Sequence, residues 1–134
     1  MNVDDFISRF QVLSNESDIE KIRAVLLEEI EAYKDAKGDR SAELLMICCM
    51  NLCYYGHIED VSLIWNAKML SMDTGCMIDT EYLCGPGIEK TKVFLESLNS
   101  DWAKKALQFI GQYGDFDDYN PKKYVKERIS YFEG

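Results

Sequence analysis

One segment constrains the fold more than any other. Residues 44–55 are apolar around the whole helical turn, and only Asn51 interrupts them. A helix that is apolar on every face is stable in water only when neighbouring elements cover it on all sides. The segment is far shorter than the roughly 20 residues that a membrane-spanning helix needs. The sequence therefore predicts a helix at the centre of a folded domain, and no membrane span.

Apolar residues recur at helical spacing along most of the chain, and no strand or hairpin pattern accompanies them. The glycine-rich segment 71–87 is predicted to contain only a short helix, at residues 79–84. A chain of 134 residues has the usual size of one domain. We therefore expect residues 1–134 to form a single all-α domain of six to eight helices. The other helices are predicted near residues 3–13, 17–38, 44–55, 58–70, 88–98, 101–113 and 121–132.

Local signals mark where some of these helices begin and end. Ser17 and Glu20 have the spacing of a capping box, which predicts the start of the second helix. Gly38 can adopt the left-handed conformation that ends a helix. Asn120 followed by Pro121 combines a good N-cap with proline in the first turn, and it predicts the start of the last helix.

Helix, glycine and helix recur around Gly56, Gly87 and Gly114, with a period of about 30 residues. This period lies in the range of ankyrin and HEAT repeats, in which each helical hairpin covers an apolar face of its neighbour. An irregular helical bundle, in which the glycines only end helices, explains the same pattern. The sequence leaves both architectures open.

The chain is strongly acidic. It has 24 Asp and Glu residues against 15 Lys and Arg, a net charge of −9 and a pI near 4.6. Such a charge disfavours binding to nucleic-acid phosphates and favours basic protein partners. Asp4 and Asp5 stand where a signal peptide would have basic residues, so we expect a cytoplasmic protein. Five cysteines without a Cys-x-x-Cys pair are consistent with reduced thiols there.

Few residues point to catalysis or to cofactors. His57 is the only histidine, so a cysteine-dependent enzyme would have to combine it with Cys76 or Cys84. Cys49 and Cys53 are four residues apart on one helical face, which is better explained by core packing than by metal binding. Phosphate-binding loops and zinc motifs are absent from the sequence. We expect no enzymatic activity, no metal and no cofactor.

The connection before the last helix alternates carboxylates with aromatic rings, in the order YGDFDDYN over residues 113–120. This spacing lacks the closing glutamate of a calcium-binding loop. Aromatic residues that fill pockets, flanked by charges that attract an opposite surface, are typical of protein interfaces. The simpler interpretation is that the aromatic rings pack on the protein's own core and the aspartates face water.

Four segments of the sequence are distinctive: GHIEDVSLIWNAK at residues 56–68, DTGCMID at 73–79, YLCGPGIEKTK at 82–92 and GDFD at 114–117. Together they resemble a family of small helical immunity proteins of bacterial contact-dependent growth inhibition and related polymorphic toxin systems. Members of that family are made beside a toxin whose C-terminal domain is often a nuclease. The resemblance implies a stoichiometric toxin inhibitor, and it supplies no catalytic residues.

A nuclease must present a basic groove to phosphates, and a preformed acidic surface with aromatic anchors can occupy such a groove. The predicted binding face combines the aspartate-rich connection with acidic residues of segment 71–87. Its residues are Asp115, Phe116, Asp117, Asp118, Tyr119, Asp73, Asp79 and Glu81. The expected partner is a cognate toxin with a basic surface, and neither nucleic acid nor a membrane is bound directly. The alternative function is a cytosolic adaptor that holds a protein or peptide on a concave helical-repeat surface.

Overall fold

The computed structural model describes residues 1–36 and 40–133, and within these ranges the chain is helical and contains no strand. The prediction of an all-α fold with six to eight helices is confirmed, because the described ranges contain eight α-helices. Their bounds are α1 Val3–Phe10, α2 Ile19–Asp35, α3 Glu43–Tyr55, α4 Val61–Lys68, α5 Met72–Met77, α6 Ile88–Leu98, α7 Asp101–Tyr113 and α8 Pro121–Glu133. Short 3₁₀ turns at Glu16–Asp18, Ile58–Asp60 and Thr80–Cys84 precede α2, α4 and α6.

Helix α3 lies at the centre of the molecule, as its sequence predicts. Helices α1, α2, α4, α5 and α8 and the turn Thr80–Cys84 all pack against it. Because α8 comes last in the chain and still packs on α3, the helices form an irregular bundle rather than a stack of consecutive hairpins. None of the helices described is long and apolar enough to cross a membrane.

The glycines that suggested a repeat have different structural roles. Gly56 ends α3 in the left-handed conformation, with φ +66°. Gly87, with φ +107°, instead stands at the start of α6. Gly114 follows α7 with extended backbone. The three positions are not equivalent, so the spacing of about 30 residues does not mark a structural repeat.

Two predicted boundaries near the N-terminus are wrong. Helix α1 ends at Phe10, and the chain turns away at Gln11, whose φ is +65°. The predicted capping box at Ser17 is not formed, because Ser17 lies inside the turn Glu16–Asp18 and α2 begins only at Ile19. The predicted end of the second helix, at residues 37–38, lies outside the described residues.

The segment between α4 and α6 is more regular than the sequence predicted. Helix α5 begins with a capping box between Ser71 and Thr74. Its last turn is supported by Lys68, whose buried ammonium group donates hydrogen bonds to the carbonyls of Gly75 and Ile78. This support depends on a lysine outside the segment, and so the local sequence does not reveal it. The predicted short helix at residues 79–84 is present as the 3₁₀ turn Thr80–Cys84.

Candidate protein-binding surface

The connection between α7 and α8, residues 114–120, presents three carboxylates to solvent. Asp115, Asp117 and Asp118 are all exposed. Within the described ranges none of them forms an ion pair. We call residues 114–120 the acidic loop. Its aspartates are therefore available to a positively charged group of another molecule.

The aromatic residues of the acidic loop face inward and fix its backbone. Phe116 and Tyr119 are half-buried against the core, and their rings meet edge to face with centroids 5.0 Å apart. The ring of Phe116 also fills the space that a side chain at Gly114 would need. These two aromatic rings therefore follow the simpler sequence interpretation, in which they pack on the protein's own core.

Glu81 ties the acidic loop to the turn Thr80–Cys84. Its carboxylate accepts a hydrogen bond of 2.8 Å from the backbone N–H of Asp115, and its carbonyl accepts one of 2.7 Å from the Tyr119 hydroxyl. Burial raises the pKa of Tyr119, so this hydroxyl remains a donor at neutral pH. Two hydrogen bonds therefore tie the loop to this turn, one near each of its ends.

Asp79 also lies near this region, but its charge is used within the protein. The Tyr124 hydroxyl donates to its carboxylate at 2.7 Å, and the Arg128 guanidinium lies 3.1 Å from the same carboxylate. Burial of the Tyr124 ring and its hydrogen bond to Asp79 raise the pKa of the Tyr124 hydroxyl. Asp79 fastens α8 to the segment before the turn Thr80–Cys84, and a partner would find its charge largely neutralised.

The structure brings most of the predicted site residues together and separates one of them. Glu81 contacts the acidic loop directly, and Asp79 is linked to it through Tyr124, whose ring centroid lies 5.8 Å from that of Tyr119. Asp73 is exposed in the first turn of α5, and no hydrogen bond or ion pair of the described structure joins it to the loop. Sequence reasoning missed the contribution of α8. Tyr124 and Glu127 line a cavity of about 270 Å³ together with the loop aspartates. No sequence signal identified these residues, because their position depends on how α8 packs.

A larger apolar groove, of about 670 Å³, lies between α5 and α7. Its rim carries Met72 and Tyr113, whose side chains are 86% and 60% exposed. Tyr113 follows Ala106 and Ile110 at helical apolar spacing, but unlike these two buried residues it is exposed. The groove ends at Tyr113, two residues before Asp115. We call it the α5–α7 groove.

The cysteines divide into one exposed and four buried thiols. Cys76 is exposed, whereas Cys48, Cys49, Cys53 and Cys84 are buried and unbonded to each other. Burial raises the pKa of the Cys53 and Cys84 thiols to about 12 and also raises the pKa of Cys48 and Cys49. Among the described residues, no group of three His, Cys, Asp or Glu side chains is placed to hold a metal.

This division predicts selective labelling of the folded protein. Because the thiolate is the reactive form, we expect Cys76 to react with an uncharged maleimide at least about 100-fold faster than the buried thiols. Mass spectrometry should show one added label before unfolding and five after it in denaturant. Rapid labelling of a second cysteine in the folded protein would contradict the buried placement.

His57 is the only histidine of the chain and so the only possible imidazole base. Its Nε2 atom lies 3.5 Å from the carboxylate of Glu16.

Comparisons with known proteins leave the surface to be interpreted from its own chemistry. No protein-family model, curated protein or solved structure significantly matches the chain. The features that bear on function are therefore the exposed aspartates of the acidic loop and the adjoining apolar groove.

Proposed function

We propose that this protein is an immunity protein, a stoichiometric inhibitor that binds a cognate bacterial toxin domain and neutralises it. The observation that carries the proposal is the acidic loop. Its three aspartates are exposed and free of ion pairs in the described structure, while Phe116 and Tyr119 hold the loop from beneath. A nuclease domain is the toxin type that such a surface suits best, because its active site must attract phosphates.

Preorganisation makes this loop suited to an inhibitor. Ordering a flexible loop on binding opposes association, whereas a loop already held by Glu81 and Tyr119 avoids most of that cost. Exposed charges also accelerate encounter with an opposite surface, to on the order of 10⁸ M⁻¹s⁻¹ at low salt. Fast capture matters for a protein that must bind a toxin before the toxin acts on the cell. Under this proposal the protein acts in the cytoplasm.

The basic residues of α8 do not cancel the loop charges. Lys122 and Lys126 place their ammonium groups 4.5 Å and 5.9 Å from the ring centroid of Tyr54. Arg128 is paired with Asp79. In the part of the chain that the structure describes, Lys123 is the only cation that lines the cavity beside the loop aspartates, where Glu127 offsets it. A basic partner therefore meets an excess of negative charge.

The first experiment is co-expression with the protein encoded immediately upstream, the position in which a cognate toxin is expected. We expect growth to be rescued and a one-to-one complex to be purified in which the catalytic activity of the toxin is abolished. Complex formation with full toxin activity would reject inhibition and favour an adaptor. Growth arrest without a complex would reject that protein as the partner.

Neutralising the acidic loop should then weaken the complex. The triple variant Asp115→Asn, Asp117→Asn and Asp118→Asn keeps a side-chain oxygen as hydrogen-bond acceptor at each position. Asparagine, like aspartate, also tolerates the φ of +54° at position 118. We expect the dissociation constant to rise about 100-fold and the association rate to lose most of its dependence on salt. Surface plasmon resonance at several salt concentrations measures both quantities.

A matched control removes the same charge elsewhere. The variant Glu28→Gln, Glu96→Gln and Glu133→Gln changes three exposed carboxylates that form no ion pair in the described structure. We expect the dissociation constant to rise less than about fivefold, since these charges act only at long range. Equal losses in the two triple variants would show that net charge, rather than the acidic loop, drives binding.

The adaptor alternative receives less support. It needs a concave helical-repeat surface, and the packing of α8 on α3 produces an irregular bundle instead. Its remaining support is the α5–α7 groove, which has room for side chains of another protein. An adaptor would leave the activity of its partner intact, and the toxin assay above tests this difference.

A further inference from the structure

The α5–α7 groove exposes more apolar surface than the fold requires. Met72 is 86% exposed, Tyr113 60% and Met69 39%. Isolated exposed apolar residues are common, but here three of them line one groove together with Cys76 and Phe109. Methionine side chains are flexible and adapt to the shape of an apolar partner. The groove therefore has the character of a protein contact site.

Free negative charge stands beside this groove. Lys68 is the only basic residue among the described residues that line it, and its ammonium group is buried and donates to the carbonyls of Gly75 and Ile78. Asp73, next to Met72, is exposed and forms no ion pair in the described structure, and Asp115 of the acidic loop follows two residues after Tyr113. Asp79 and Glu81, on either side of Thr80, are already bonded within the protein, to Arg128 and to the N–H of Asp115. An occupant consequently meets apolar side chains with carboxylates at the edges.

A second groove of the same size provides a comparison. It is lined by Gly56, Pro86, Val93 and other residues, and its volume is also about 670 Å³. Charges of both signs lie in its wall, since Glu89 and Lys90 both line it. This second groove therefore offers a partner both signs of charge, whereas Lys68, the charged residue that lines the α5–α7 groove, is buried and already bonded.

We propose that the α5–α7 groove binds an amphipathic segment of a basic protein partner, with apolar side chains in the groove and Lys or Arg side chains against the acidic residues beside it. Tyr113 lines the groove and the acidic loop begins at the next residue, Gly114, so the two surfaces adjoin along the chain. The identification of this segment as part of a toxin rests on the proposed function. A second copy of this chain is a poor occupant, because each copy carries a net charge of −9.

Cys76 provides a built-in probe, because it lines the groove and is the one exposed thiol among the cysteines. The intact protein is labelled with N-ethylmaleimide in the presence of a helical peptide of Leu and Lys, about 18 residues or five turns long. A peptide with Glu in place of Lys, and one with Ser in place of Leu, serve as controls. We expect about tenfold slower labelling of Cys76 with saturating Leu/Lys peptide and little change with either control.

Two matched variants localise the effect. Met72→Lys places a positive charge on the rim of the α5–α7 groove and should remove the protection of Cys76 by the peptide. Val93→Lys makes the same type of change in the second groove, where Val93 is 64% exposed, and should leave protection intact. In each case the quantity compared is the labelling rate with peptide divided by the rate without it, so that altered thiol reactivity cancels.

Several results would overturn the proposal. These are absence of protection by the Leu/Lys peptide, equal protection by the Leu/Glu peptide, and protection that survives Met72→Lys. Protection that appears without peptide and grows with protein concentration would assign the groove to a second copy of the chain. Peptide protection without toxin neutralisation would retain the groove and reject the immunity function. Neutralisation of the toxin together with an unchanged toxin affinity of the Met72→Lys variant would retain the immunity function and reject the groove as the binding site.

Discussion

Replacing Gly85 by alanine is expected to lower the free energy of unfolding by about 3 kcal/mol, because the added methyl group would collide with the central helix. A Cβ at position 85 would lie 2.5 Å from the carbonyl oxygen of Cys53 and 2.9 Å from its Cα. Both are backbone atoms of α3, which cannot turn aside as a flexible side chain can. The backbone of Gly85 has φ −54°, so the effect arises from the collision and not from backbone strain.

Gly111 provides the matched control. It lies within α7, and a Cβ there would meet nothing within 4 Å. Gly111→Ala should therefore raise the free energy of unfolding by about 0.5–1 kcal/mol, since alanine loses less backbone entropy in a helix. Denaturant unfolding of both variants measures the difference. A Gly85→Ala protein as stable as the unmodified chain would mean that Gly85 and α3 are not in contact.

The close approach at Gly85 illustrates what the sequence could and could not reveal. Glycines 56, 85 and 87 suggested only turns and a possible repeat. In the structure a Cβ at Gly56 would lie 2.6 Å from the carbonyl oxygen of Gly85, so the two glycines let separate segments touch. Such contacts join residues far apart in the chain. Local patterns predict where a helix ends, but not what it will pack against.

Helical periodicity was the reliable signal. The apolar stripe Ile19, Ile22, Leu26, Ile30 and Tyr33 is buried along α2, and α6 and α7 have the predicted bounds. Periodicity failed at Leu13, which continues the apolar spacing of α1 but lies outside it. The reason is tertiary: residues 12–14 leave the helix to form hydrogen bonds with Asn51 and Tyr55 of α3.

The distribution of free negative charge could not be predicted by counting residues. Counting residues treats every carboxylate as available, whereas several are paired internally. Asp60 is buried and accepts two hydrogen bonds from Arg23, at 2.7 Å and 3.0 Å. Glu29 is similarly buried against Arg40. These pairs are geometric results of packing, and they concentrate the free negative charge on exposed segments such as the acidic loop.

Replacing Asn51 by leucine is expected to lower the free energy of unfolding by about 3–5 kcal/mol, although leucine matches the apolar residues around it. The Asn51 side chain is fully buried, accepts a hydrogen bond from the N–H of Ser14 at 2.8 Å and donates to the carbonyl of Val12 at 2.9 Å. Leucine would leave both of these backbone groups without their partner inside the protein. A buried polar group that loses its partner costs about 1–3 kcal/mol.

Tyr55→Phe is the graded comparison for this prediction. It removes one hydrogen bond to the same segment, from the Tyr55 hydroxyl to the Ser14 carbonyl, at a position that is only half-buried. Water can replace that partner, so the expected loss is about 0.5–1.5 kcal/mol. Chemical denaturation should thus rank Asn51→Leu well below Tyr55→Phe in stability. The reverse order would mean that the apolar surroundings of Asn51, rather than its hydrogen bonds, hold residues 12–14 on α3.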